Sequence, residues 1–97
     1  MDPQTFVGAT FLSSENGRPR LTFSSDGTYS GSDGCNGLQG GYTLDGDTIT
    51  LAPGLSTLRA CRGVDSWLHA AKTLELDGDT LRVCDATGAE IGALTRD

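Results

Sequence analysis

Residues 31–41 read GSDGCNGLQGG, with glycine at 31, 34, 37, 40 and 41 around one cysteine and one asparagine. Four of these glycines fall every third residue, so four readings compete: a phosphate-cradling loop, a piece of triple helix, a catalytic cysteine turn, or a backbone device. A phosphate loop opens into a helix and carries Lys followed by Ser or Thr. Here the glycines lead into YTL at 42–44, a strand pattern, and Lys72 is the chain's one lysine. A triple helix needs the glycine period sustained with proline, and no proline falls in 31–41. The flanks must decide between a cysteine turn and a backbone device.

On both sides the chain is made of short alternating runs separated by turn residues. FVGATFLSS leads to ENG at 15–17, RLTFSS to Asp-Gly at 26–27, YTL to Asp-Gly at 45–46 and then TITL, and LEL to Asp-Gly at 77–78 and then TLRVCD. The pentapeptide LDGDT occurs at 44–48 and again at 76–80. Asp-Gly between alternating runs signals a hairpin, because glycine accepts the positive φ of a type I′ turn. A last run, AEIGALT at 89–95, follows Thr87 and Gly88. About seven strands with short connections predict an antiparallel sheet curling toward a barrel. One segment breaks the alternation: Val64, Trp67, Leu68 and Ala71 are spaced i, i+3, i+4 and i+7, which predicts a helix over Val64–Lys72 packed on the sheet. The expected fold class is therefore α+β, an antiparallel sheet curled into an incomplete barrel with one packed helix.

Composition narrows the function. Ninety-seven residues fit one domain, 1–97, with a single core. The net charge of −6 arises from ten Asp and three Glu against six Arg and one Lys, with no basic cluster. This argues against nucleic acid and anionic membrane surfaces as partners. The Asp residues track turns, so the acidity is read as turn chemistry. No apolar run reaches the roughly 18 residues of a membrane span. MDPQTFVG has no signal-like basic and apolar regions. A cytoplasmic location is expected if Met1 is the native start, and an envelope or secreted one if a leader has been removed.

Candidate chemistry is sparse. The calcium-repeat pattern that GGYTLDGDT resembles would need glycine where Thr43 stands, so Asp45, Asp47, Asp77 and Asp79 are read as hairpin turns. Cys35, Cys61, Cys84 and His69 are too widely spaced for a zinc motif. No metal and no cofactor are expected. A Cys35–His69 dyad would need the two side chains in contact, and His69 falls off the apolar face of the expected helix. No catalytic residue is assigned.

The run DGTYSGSDGCNGLQGGYTLDGDTITLAPGLSTLRAC, residues 26–61, resembles the META domain family, typified by the HslJ heat-shock protein. The family pattern places a GCN turn after a strand, then a G-x-Y strand with a DGD hairpin, then a Thr-rich segment closing on Cys. Here these are Gly34, Cys35 and Asn36, then Gly40 and Tyr42 leading to Asp47, then Ser56, Thr57 and Cys61. Phe11 stands where the family's opening strand usually has Trp. The resemblance implies a barrel-like roll in which Gly34, Cys35, Asn36 and Gly40 define the fold, with the Asn36 amide satisfying backbone groups at a corner. It also implies that Cys35 and Cys61 lie together. A bridge between them would close a loop of about 26 residues and contribute roughly 3–4 kcal/mol. Cys84 is then solitary.

The resemblance implies a non-catalytic module, associated with stress response or the cell envelope, acting through a protein surface or simply through its own stability; a monomer is expected, with an unidentified protein partner as one option. The alternative is a small binding module for a lipid, another apolar ligand or a secretion partner, which would need a cavity lined by residues such as Phe6, Phe11, Phe23, Leu44 and Trp67. A hydrolase has no recognisable constellation.

Overall fold

In the computed structural model, residues 6–14, 18–46, 48–52, 55–56 and 67–97 are described. They form nine strands: β1 Thr10–Leu12, β2 Arg20–Phe23, β3 Thr28–Ser32, β4 Gly37–Asp45, β5 Thr48–Leu51, β6 Leu55–Ser56, β7 Thr73–Asp77, β8 Thr80–Cys84 and β9 Glu90–Arg96. All pairings are antiparallel. Eight strands form a closed ring in the order β1-β2-β3-β4-β5-β7-β8-β9, which returns to β1 through Phe11↔Arg96 and Leu12↔Thr95. The two-residue β6 lies beside β4 at Leu38↔Ser56 and Gln39↔Leu55.

β4 hands the ring from one neighbour to the next. Gly37–Gly41 pair with β3, and Tyr42–Asp45 pair with β5. At the handover the Tyr42 N–H donates to the Gly27 carbonyl at 2.9 Å and the Ala52 N–H to the Gly41 carbonyl at 2.8 Å. Gly40 and Gly41 therefore sit where the strand changes partners, a place at which a missing side chain eases the bend.

Alternation turns one face of β1, β2, β5, β7, β8 and β9 to the interior. Phe11, Leu21, Phe23, Ile49, Leu74, Leu81, Val83 and Leu94 are fully buried there. Phe6 precedes β1 and is also fully buried. It lies 5.3 Å from the Phe23 ring and 5.7 Å from the Tyr42 ring, while Phe23 lies 5.3 Å from Tyr42 and 6.2 Å from Phe11, all edge to face. This geometry suits the quadrupoles of aromatic rings. Large and small residues alternate across strands: Gly40 stands opposite Tyr29, and Gly31 lies between Leu21 and Leu38. Such alternation of small and large residues suits the interior of a small barrel.

The architecture corrects two expectations. The class is all-β, not α+β, and the barrel is closed, not incomplete. The expected helix over 64–72 is replaced, within the described residues, by a 3-10 turn at Trp67–Ala70; residues 64–66 lie outside them. The reason lies at Lys72. Its N–H donates to the Cys84 carbonyl at 2.8 Å and its carbonyl accepts from the Leu51 N–H at 2.9 Å, so the sheet claims the backbone that a helix would need. One turn with an Ala71 N–H to Leu68 carbonyl bond at 3.0 Å is what remains. Its apolar residues still do the expected packing. Leu68 is buried, and the Trp67 indole covers Gly92 on β9, where an added Cβ would lie 2.6–2.7 Å from the ring.

The β7–β8 hairpin also differs from the expected type. The β7–β8 loop is Gly78–Asp79, closed by Asp77↔Thr80, with φ +63° at Gly78 and no positive φ at Asp79. Glycine at the first central position alone is the type II′ pattern, not type I′.

Candidate functional site

The motif residues gather on the β3–β4 hairpin. Ser32↔Gly37 is the last ladder pair, and residues 33–36 make the turn. Gly34 has φ +98°, a backbone conformation in which a Cβ would be strained. Cys35 is half-buried and disulfide-bonded, whereas Cys84 on β8 is a free thiol. Cys61 and Thr57 lie outside the described residues. Asn36 is buried.

The turn is organised by a residue that sequence reasoning passed over. Asp33 is fully buried, and its Oδ1 accepts from the Cys35 N–H at 2.8 Å and from the Asn36 N–H. Its own N–H donates to the Asn36 carbonyl at 3.0 Å, and the Gly34 N–H donates to Ser32 Oγ at 3.0 Å. Asp33 thus satisfies turn N–H groups beside Asn36, whose own N–H and carbonyl help close the turn. The signal was present in the sequence as Asp before Gly, an arrangement in which a short carboxylate folds back on the amides two and three residues ahead.

Gly31 completes the answer for the glycines. A Cβ there would lie 2.0 Å from the Arg20 carbonyl oxygen, so β2 and β3 approach too closely for any side chain. Gly37, in contrast, has open space around the corresponding point. Gly40 and Tyr42 continue along β4 away from the turn. The Tyr42 hydroxyl donates to the Ser24 carbonyl at 2.8 Å, tying β4 to the β2–β3 turn. Burial raises the Tyr42 hydroxyl pKa, and the nearby Asp26 carboxylate adds to the effect.

Two further carboxylates cap turns in the same way. Asp26 Oδ1 accepts from Thr28 Oγ1 at 2.6 Å and the Thr28 N–H at 3.1 Å. Asp85 Oδ1 accepts from Thr87 Oγ1 at 2.6 Å, the Thr87 N–H at 2.9 Å and the Ala89 N–H at 3.2 Å. In both, the threonine hydroxyl holds the carboxyl below the usual Asp range, with the threonine N–H adding to it. Asp79 Oδ1 is engaged by Arg96 Nε at 3.1 Å, and the Arg96 guanidinium stacks over the Phe11 ring at 4.9 Å. Among the described residues no helix is long and apolar enough to cross a membrane.

The arrangement is one of backbone satisfaction: a buried carboxylate, a bridged cysteine and a close approach of β2 to β3 at Gly31 hold a hairpin, and an aromatic cluster lies in the barrel beside it. Neither a curated protein nor a solved structure is matched by the chain. The model of the META domain matches residues 4–97, nearly the full length, and the chain belongs to the META domain family.

Proposed function

We propose that this protein is a non-catalytic META domain, HslJ-like and of stress-response or cell-envelope-associated type, that acts through its outer surface and its own stability. The observation that carries this reading is the interior. Phe6, Phe11 and Phe23, which would have to line an apolar-ligand cavity, are fully buried and in edge-to-face contact with one another or with Tyr42. An interior occupied by its own side chains is close-packed and leaves its rings no face for a ligand. The bridged state of Cys35 gives further support, since a sulfur in a disulfide is not available as a thiolate nucleophile. A Cys35–Cys61 bridge is part of the proposal, and such bridges persist in oxidising compartments such as the envelope.

Native mass spectrometry of protein purified from its own host, with and without added lipid extract, tests the reading. Bare protein in both samples is expected. A stoichiometric lipid adduct would replace this reading with the apolar-ligand one. Turnover of a generic ester or peptide that disappears in a Cys35→Ser variant would replace it with a hydrolase.

A further inference from the structure

The chain carries several Asp-Gly peptides, the sequence at which an aspartyl side chain most readily cyclises onto the following amide because glycine offers no steric shield. Cyclisation needs two free groups: a carboxyl not held elsewhere and a glycine N–H not donated elsewhere. The structure separates three of these peptides on that criterion.

At Asp26–Gly27 the carboxylate accepts from Thr28 Oγ1 and the Thr28 N–H, and the Gly27 N–H donates to the Ser24 carbonyl at 3.3 Å. At Asp33–Gly34 the carboxylate is fully buried and accepts from the Cys35 and Asn36 N–H groups, and the Gly34 N–H donates to Ser32 Oγ. Asp77–Gly78 differs on every count. Both residues are exposed at the tip of the β7–β8 hairpin. Among the described residues the Asp77 carboxylate makes no hydrogen bond or ion pair and the Gly78 N–H no backbone bond, while the neighbouring Arg96 is turned to Asp79.

We infer that Asp77–Gly78 is a site of spontaneous isoaspartate formation in the folded protein, and that the hydrogen-bonded turns protect Asp26–Gly27 and Asp33–Gly34. The Gly78 nitrogen attacks Cγ of the protonated Asp77 carboxyl. The amide proton and the carboxyl hydroxyl leave as water, and a five-membered succinimide forms. Water then adds at either ring carbonyl and cleaves its bond to nitrogen, regenerating Asp or giving isoaspartate. Water is the sole co-reactant and the mass is unchanged. Isoaspartate adds one backbone carbon at the Asp77↔Thr80 pair that closes the hairpin, so the modification acts on the register of β7 and β8.

The test is ageing of the folded protein at neutral pH and physiological temperature. Peptide mapping follows, with a protease that cleaves before Asp and not before isoaspartate, and with methylation of isoaspartate by an isoaspartyl methyltransferase. Breaking a hydrogen bond to a charged group slows the protected peptides by about tenfold or more, so conversion at position 77 is expected to lead positions 26 and 33 by at least that factor. In urea the three rates should converge. Asp77→Glu, which preserves the charge and disfavours the ring, should remove the position-77 signal. Equal or faster conversion at 26 or 33 in the folded protein, no conversion at 77, or a ranking that persists in urea would overturn the inference.

Discussion

Gly92→Ala probes the packing of the 3-10 turn on the barrel. An added Cβ would sit 2.6 Å from Trp67 Cη2 and 2.7 Å from Cζ2 and Cζ3, against an ordinary contact of 3.4 Å or more, so the indole edge must retreat by about 0.7–0.8 Å, the difference between those values. Gly92 is not among the glycines with positive φ, so backbone strain does not enter. Overpacking of this kind costs about 1–3 kcal/mol, and the lower half of that range is expected because Trp67 is only half-buried. For a domain of this size each kcal/mol lowers Tm by about 4–8 °C. Trp67 is the one tryptophan, so thermal melts followed by far-UV circular dichroism and by tryptophan emission read global stability and the contact itself. The control is the same substitution in a Trp67→Leu background. There the clash is gone, and Gly→Ala becomes neutral or stabilising by about 0.4–1 kcal/mol through the unfolded chain. An equal loss of Tm in both backgrounds, or an unchanged emission spectrum in Gly92→Ala, would refute the packing argument.

Four further outcomes are expected. Asp33→Ala leaves the Cys35 and Asn36 N–H groups without their acceptor at a buried turn and should cost about 1–3 kcal/mol per unsatisfied group; Asp33→Asn, which keeps one acceptor oxygen, should recover part of that in chemical denaturation. Tyr42→Phe removes the bond to the Ser24 carbonyl but keeps the ring contacts, so a loss of about 0.5–1.5 kcal/mol with unchanged amide dispersion in NMR spectra is expected. Asp26 and Asp85 are held below the ordinary Asp value of 3.8 in the folded chain, so their contribution is full above that value and fades as pH falls through the lower folded one; Thr28→Val and Thr87→Val should flatten the acid limb of a pH–stability curve. Burial raises both tyrosine pKa values, so near-ultraviolet titration should show both hydroxyls ionising above 10.0, with stability full below that pH and falling as it rises through the folded values.

The hairpins were legible in the sequence because a turn signal between alternating runs is local information. YTL–DG–DTITL and LEL–DG–DTLRV became β4–β5 and β7–β8 at nearly the expected places. β3 and the first half of β4 did not show in the alternation, since Gly31, Gly37, Gly40 and Gly41 carry no side chain to display a period of two, and strands flanking the GCN turn came only from the family resemblance. Those segments supply the β3–β4 pairing that helps close the ring, so the incomplete barrel was read from a sequence in which that junction is written in glycines. The helix misreading has a different origin. The spacing of Trp67, Leu68 and Ala71 correctly named an apolar face, but the competing sheet bonds of Lys72 are long-range and leave no trace in a local pattern. Of the motif, Gly34, Cys35 and Asn36 do form the hairpin turn, whereas Asp33 was absorbed into a general account of acidic turns.

The eight strands close into a ring around their own buried side chains. The most direct measurement is a set of cross-strand amide and Cα proton contacts in NMR spectra, together with hydrogen-exchange protection, at the two junctions the sequence left open. Contacts joining Phe11 and Leu12 to Arg96 and Thr95, and Tyr29 and Gly31 to Gly40 and Leu38, with slow exchange at both junctions, are predicted. Missing contacts and rapid exchange at either junction, with the other strand pairs intact, would show an open sheet and contradict the account.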